Sequence, residues 1–271
     1  MGHQNGMHTP NAFVARVALA AFVVLCAGFG PAAAAVKSRV IEYTQGGTTL
    51  VGYVAWDDAT PAKRPGVLVV HEWWGHNDHA RKQAERLAAA GFVGFALDMY
   101  GKGKVAKHPT DAKTFMQEAT KDPAVLQARF DAALVALKAE PLVDTARIGA
   151  IGYCFGGRIV LDMAQRGAPL FVAGSFHGAI PEPAEKPVFN GRVLVFNGAA
   201  DPMIPAEAVA KYVQALAANR ADFQFFNLPG AKHAFTNPDA DKAGVDGLGY
   251  SKSADEASFA AFVTAARGVL P

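Results

Sequence analysis

The chain is short of cysteine: 271 residues hold two, Cys26 and Cys154. A framework of several disulfides is therefore excluded, and stability must come from a buried core. Charge of one sign is lacking too. Twenty-six basic residues face 24 acidic ones, a formal net charge of +2, and no block of like charge occurs. Nucleic-acid-binding domains concentrate Lys and Arg on a face or an arm, and this chain does not. No repeat, low-complexity stretch or shift in composition marks a second domain. With 51 % apolar residues the length suffices for one sizeable core.

A hydrophobic run long enough for a bilayer is also missing. The most apolar stretch, Val17 to Phe29, covers about 13 residues where a membrane helix needs roughly 20. Arg16 precedes it, and Pro31 with the alanines 32–35 follows. Positive residue, short apolar stretch and small residues in that order read as a secretory signal, with a transmembrane anchor as the alternative. Leu25 stands where a lipoprotein signal needs a small residue before Cys26. Cleavage of residues 1–35 is expected to leave a domain over 36–271 in the periplasm, monomeric and without stable membrane insertion. Cys154 then becomes a lone thiol in an oxidising compartment. Such a residue is commonly a small buried hydrophobe, so its neighbours must decide.

What is present is an alternating pattern. Arg39–Thr44 and Thr48–Trp56 alternate apolar and polar residues around Gln45-Gly46-Gly47, which predicts an antiparallel hairpin. Gly66–Val70 is a continuous β-branched run suited to a strand buried on both faces. A helix is expected over 78–90, capped by Asn77 or Asp78 and stopped at Gly91. Further strands are expected at 92–97, 148–153, 171–176, 193–196 and 223–227, and helices over 124–139, 155–165, 206–219 and 255–269. The stretches 101–123 and 236–254 are read as loops of underivable conformation. The alternation implies an α/β fold: a mostly parallel sheet with an N-terminal antiparallel hairpin and helices on both faces. In such sheets function sits at the carboxyl ends of the strands.

The segment that redefines Cys154 is Gly152-Tyr153-Cys154-Phe155-Gly156-Gly157, between an expected strand and an expected helix. It is a G-x-nucleophile-x-G elbow with Cys in the place of Ser. The sharp turn needs neighbours without side chains, lifts the sulfur above the sheet, and sets it at a helix N-terminus that favours a thiolate. The acid and base of a triad should follow in that order. Asp201 lies just after the strand at 193–196, and His233 just after the last strand. Each alone is an ordinary loop residue; together, at strand ends in the required order, they form a candidate Cys154–His233–Asp201 triad.

His71-Glu72-Trp73-Trp74-Gly75-His76-Asn77-Asp78-His79 invites a metal reading. The zinc-protease pattern sets two His at i and i+4 on a helix. Here the spacing is five, Gly75 intervenes, and the segment follows a strand, so no metal is assigned. Its place after the first central strand instead suits an oxyanion donor, the Trp73 backbone N–H acting with that of Phe155. Trp74, Tyr100, His177 and the two donors' side chains are candidates to line a pocket around the thiol. Ser175 lacks elbow glycines and is a poor rival nucleophile.

These segments, with Asp98-Met99-Tyr100-Gly101, Ser175-Phe176-His177-Gly178 and Gly230-Ala231-Lys232-His233-Ala234-Phe235, make most of the chain resemble the dienelactone hydrolase family. The resemblance implies an α/β-hydrolase fold, no cofactor, a Cys154–His233–Asp201 triad, and a part for Glu72 in activating the thiol. Archetypal members hold the substrate carboxylate with two arginines, and this sequence has Lys102 and Asn237 there. Lys cannot make the bidentate fork and Asn carries no charge, which counts against dienelactone itself as substrate. The expected activity is hydrolysis of a small ester or lactone through a covalent acyl-enzyme, with Lys102 and His177 as further substrate contacts. The alternative is an idle hydrolase scaffold that binds a small apolar metabolite.

Overall fold

The computed structural model describes residues 1–3 and 35–268. The expected leader therefore lies almost wholly outside the described residues. Contacts divide the chain into units Met1–Ala32 and Ala33–Pro271, and the second is described here. Among the described residues no helix is long and apolar enough to cross a membrane.

Strands β1 (Val36–Gln45) and β2 (Thr48–Asp57) form the expected hairpin around Gly46 and Gly47, both at positive φ. Next come β3 (Arg64–Val70), α1 (Asp78–Ala89), β4 (Val93–Leu97), α2 (Pro109–Thr120), α3 (Pro123–Lys138) and β5 (Val143–Tyr153). The chain continues through α4 (Phe155–Gln165), β6 (Val172–Phe176), β7 (Arg192–Gly198), α5 (Ala206–Ala218), β8 (Phe223–Leu228) and α6 (Lys252–Gly268). One sheet of eight strands runs β1-β2-β4-β3-β5-β6-β7-β8, antiparallel at β1–β2 and β2–β4 and parallel elsewhere. The architecture is that of an α/β hydrolase.

Sequence explains the placement. All seven residues of β3 are buried, because β3 lies inside the sheet with helices on both sides. Helix α1 starts at the expected cap, with the Asn77 side chain accepting from the Ala80 amide, and buries Ala80, Ala84, Leu87 and Ala88 at helical spacing. Helices α1 and α6 cover one face of the sheet, where Leu87 and Phe262 join a cluster with Val69 and Phe176. The other face carries α3, α4 and α5, with Phe130, Val160 and Leu216 packed on Leu68 and Val195.

The loop expected at 101–123 contains α2, a helix absent from the sequence reading. It buries only Ala112 and Ala119, so its apolar stripe is too thin to register as a period. A short 3-10 turn at Ala240–Ala243 interrupts the other expected loop.

The sheet reverses its winding at β3 and β5, which are neighbours with Val70 opposite Gly152. The chain leaves β3 for α1 on one face and leaves β5 for α4 on the other, opening a crevice at their carboxyl ends. The segments after β3, β5, β6, β7 and β8 carry Glu72, Cys154, His177, Asp201 and His233, all at one edge of the sheet.

Phe130→Ala is expected to cost about 3–5 kcal/mol by opening a cavity under α3. Val135→Ala, on the exposed side of the same helix, should stay within roughly 0.5 kcal/mol. Urea unfolding of both variants checks the orientation of α3, and equal losses would contradict it.

Candidate active site

Cys154 sits between the last residue of β5 and the first of α4, at φ 53° and ψ −114°. Few residues with a β-carbon adopt such a backbone, and the surrounding contacts must hold it there. The neighbouring glycines allow those contacts. A β-carbon on Gly152 would lie 2.1 Å from the Gly156 carbonyl oxygen, and one on Gly156 would lie 2.2 Å from that of Val70. The Cys154 amide is shared between the Phe176 carbonyl, at 3.0 Å, and His177 Nδ1, at 3.1 Å. Cys154 itself remains partly exposed.

His233 and Asp201 approach from β8 and β7. His233 Nδ1 lies 2.8 Å from Asp201 Oδ2, and the other carboxylate oxygen accepts the Met203 amide at 2.8 Å. The base is held from behind as well: its amide donates to Gly247 and its carbonyl accepts from Gly249. Burial favours the neutral imidazole. The charge of Cys154, the hydrogen bond donated to Asp201 and a hydrogen bond to Cys154 outweigh it and push the His233 pKa up to about 10. The fold thus brings the three expected triad residues together, with Nδ1 on the acid and Nε2 left for the sulfur.

Glu72 is buried, and its Oε2 accepts from Asn237 Nδ2 at 2.7 Å. The Asn237 amide cannot be reversed, because its Oδ1 accepts the Asp239 amide at 3.0 Å. The sequence singled out Asn237 as standing where the resembled family has an arginine, but its pairing with Glu72 was not legible there. Among the described residues the backbone N–H groups of Trp73 and Phe155 have no protein acceptor. Trp74 borders a cavity of about 260 Å³ whose other walls include His79, Ala234, Asn237 and Leu248.

Three of the expected substrate contacts meet protein partners. Lys102 is exposed and pairs with Glu42 on β1 at 2.5 Å. Tyr100 is buried, with its hydroxyl donating to the Trp73 carbonyl at 3.1 Å, so it supports that loop from beneath. His177 is fully buried and both ring nitrogens meet protein groups, Cys154 N–H and Thr236 Oγ1. Sequence alone missed Arg129, which reaches from α3 to the carbonyls of Met99 and Tyr100 at 2.6 and 3.4 Å. No local pattern announces such a contact.

The histidines after β3 serve the scaffold. His71 Nε2 accepts the Met99 amide at 3.1 Å, so its Nδ1 carries the proton and donates to the Glu72 carbonyl at 2.5 Å. Burial keeps His71 below its ordinary pKa. His76 binds the Ala96 carbonyl at 3.1 Å, and burial, with the positive charge of Arg81 nearby, pushes it down to about 4.

The family model described as the dienelactone hydrolase family matches residues 50–267. A Synechocystis protein with a provisional carboxymethylenebutenolidase name is 27 % identical over 216 residues, covering 74 % of this chain and 87 % of its own length. Two solved structures superpose with a TM-score of 0.83 over 87 % of this chain and 99 % of theirs. One, 35 % identical, is described as a dienelactone hydrolase-like promiscuous phosphotriesterase from metagenomic libraries, and the other, 37 % identical, as m3DLH.

The electrostatics yield a titration with a definite sign. A raised His233 pKa means the imidazolium contributes stability fully below its unfolded-state value near 6.5, and that contribution fades as pH rises toward 10. In NMR spectra His233 is expected to remain charged above pH 8, and to titrate at lower pH once iodoacetamide caps Cys154. A pKa near 6.5 in the unmodified protein would refute the ion pair.

Proposed function

We propose, from the premise that the chain belongs to the dienelactone hydrolase family, that it hydrolyses small uncharged esters or lactones through a thioester on Cys154. The observation that carries this reading is the His233 ring, bonded to Asp201 at 2.8 Å and raised to about pKa 10 in part by the sulfur at the strained elbow.

The thiolate attacks the acyl carbon, and the carbonyl oxygen takes up the negative charge between the amides of Trp73 and Phe155. As the tetrahedral adduct collapses, the charged His233 gives its Nε2 proton to the departing alkoxide. A neutral thioester now stands where the thiolate was. One cause of the high His233 pKa has gone, and the imidazole becomes able to accept a proton from water. The resulting hydroxide attacks the thioester, the acid leaves, and the thiolate returns beside a charged His233. The sum is ester plus water giving acid plus alcohol. Asp201 keeps the ring oriented and supports its charge throughout. Glu72 starts from its bond to Asn237 and is retained as the accessory carboxylate for thiol activation.

The preference for uncharged substrates follows from two positions. Lys102 is spent on Glu42, and Asn237 is neutral and already bonded to Glu72. Neither offers a cation to a substrate carboxylate. Since one solved relative is described as a promiscuous phosphotriesterase, a neutral phosphate triester belongs in the assay panel with aryl acetates and lactones.

Cys154→Ala is expected to lower kcat on an aryl acetate by at least about 10³-fold, and Cys154→Ser to lose most of the activity, since a hydroxyl needs stronger base help. Wild-type turnover in Cys154→Ala would sink the thioester mechanism, whereas an inert wild type that still binds esters would leave an idle scaffold. Asn237→Arg should shift kcat/KM toward a carboxylate-bearing lactone, relative to its neutral ester, by about tenfold. An unchanged ratio would remove residue 237 as a determinant of substrate charge.

A further inference from the structure

His177 is one of the buried titratable groups that the mechanism above leaves unused. It follows β6, adopts φ 42°, and is fully buried. Its own amide donates to the Phe196 carbonyl at the end of β7, at 2.8 Å. Its ring lies between the two reacting groups. Nδ1 is 3.1 Å from the Cys154 amide on one side, and Nε2 is 2.8 Å from Thr236 Oγ1 on the other, three residues beyond His233. The ring also stands edge-on to His233, at 5.3 Å between centroids, and to Phe235, at 5.0 Å.

These contacts fix the tautomer. A backbone N–H can only donate, so the nitrogen facing Cys154 must present a lone pair. In a neutral ring the proton is then on Nε2, where Thr236 Oγ1 accepts it. A charged ring would set N–H against N–H at the elbow. Burial and the neighbouring charge of His233 oppose such a ring and hold the His177 pKa well below its ordinary value. The ring therefore does not compete for the proton that cycles on His233.

We infer that His177 is a positioning residue: as the Nε2–H tautomer it ties the amide of Cys154 to Thr236 on the His233 loop, and so sets the approach of base to sulfur. This rests on Cys154 and His233 acting as nucleophile and base. It assigns the residue to the interior of the machine and gives Thr236 a part that no sequence pattern suggested. A histidine that merely fills space would need neither the defined tautomer nor the hydroxyl.

Thr236→Val keeps the shape and removes the acceptor, and Thr236→Ser restores the hydroxyl. Thr236→Val is expected to slow iodoacetamide capture of Cys154 at pH 7 about tenfold and to lower kcat on an aryl acetate similarly, with KM and Tm little changed. Thr236→Ser should recover both rates. In ¹⁵N-edited NMR of the wild-type protein, His177 should carry its proton on Nε2 at every pH from 5.5 to 9. A proton on Nδ1, or a Thr236→Val protein that is capped at the wild-type rate, would overturn the inference, as would a fall in Tm with no change in capture. If turnover proved independent of Cys154 the thioester reading would fail, but the capture and tautomer measurements would still decide the geometry of His177.

Discussion

The first turn of α4 comes so close to the end of β3 that a single methyl on Gly156 would meet the Val70 carbonyl at 2.2 Å. That approach closes the elbow. It lets the chain reverse within one residue, and that residue, Cys154, accepts a positive φ in return. Since β3 and β5 are neighbours, with Val70 opposite Gly152, the segments that carry Trp73 and Cys154 leave adjacent strand ends. The Trp73 loop and the Cys154 elbow thus meet where the sheet reverses its winding.

Around this elbow the charges are few and matched. His233 is an uncommon buried imidazole whose charge is favoured, because carboxylate and sulfur offset its loss of water. Glu72 is the second buried acid near the site, and its partner is a neutral amide held in one orientation by a backbone donor. An arginine at 237 would bring a full charge there instead.

The buried histidines illustrate how one side chain serves several ends. His71 and His76 bond the backbone at the ends of β3 and β4 and stay neutral through burial. His177 ties the elbow to the loop after β8. His233 alone faces both a carboxylate and the thiol. What separates them is the donor or acceptor that each nitrogen meets.

The sequence by itself determined the alternation of strands and helices, the hairpin around Gly46 and Gly47, the full burial of β3 and a helix cap at Asn77 or Asp78, because each is written in local periodicity or turn chemistry. It also determined the order Cys154, Asp201, His233 at successive strand ends, since parallel strands put those ends on one edge. Helix α2 escaped because its buried face is two alanines. Only the tertiary structure decided that Lys102 turns to Glu42, that Tyr100 supports Trp73, that Asn237 clamps Glu72, and that His177 lies beneath the site. Each is a contact across tens of residues, set by how helices and loops pack on the sheet, and a side chain's type records its capacity to bond without recording its partner.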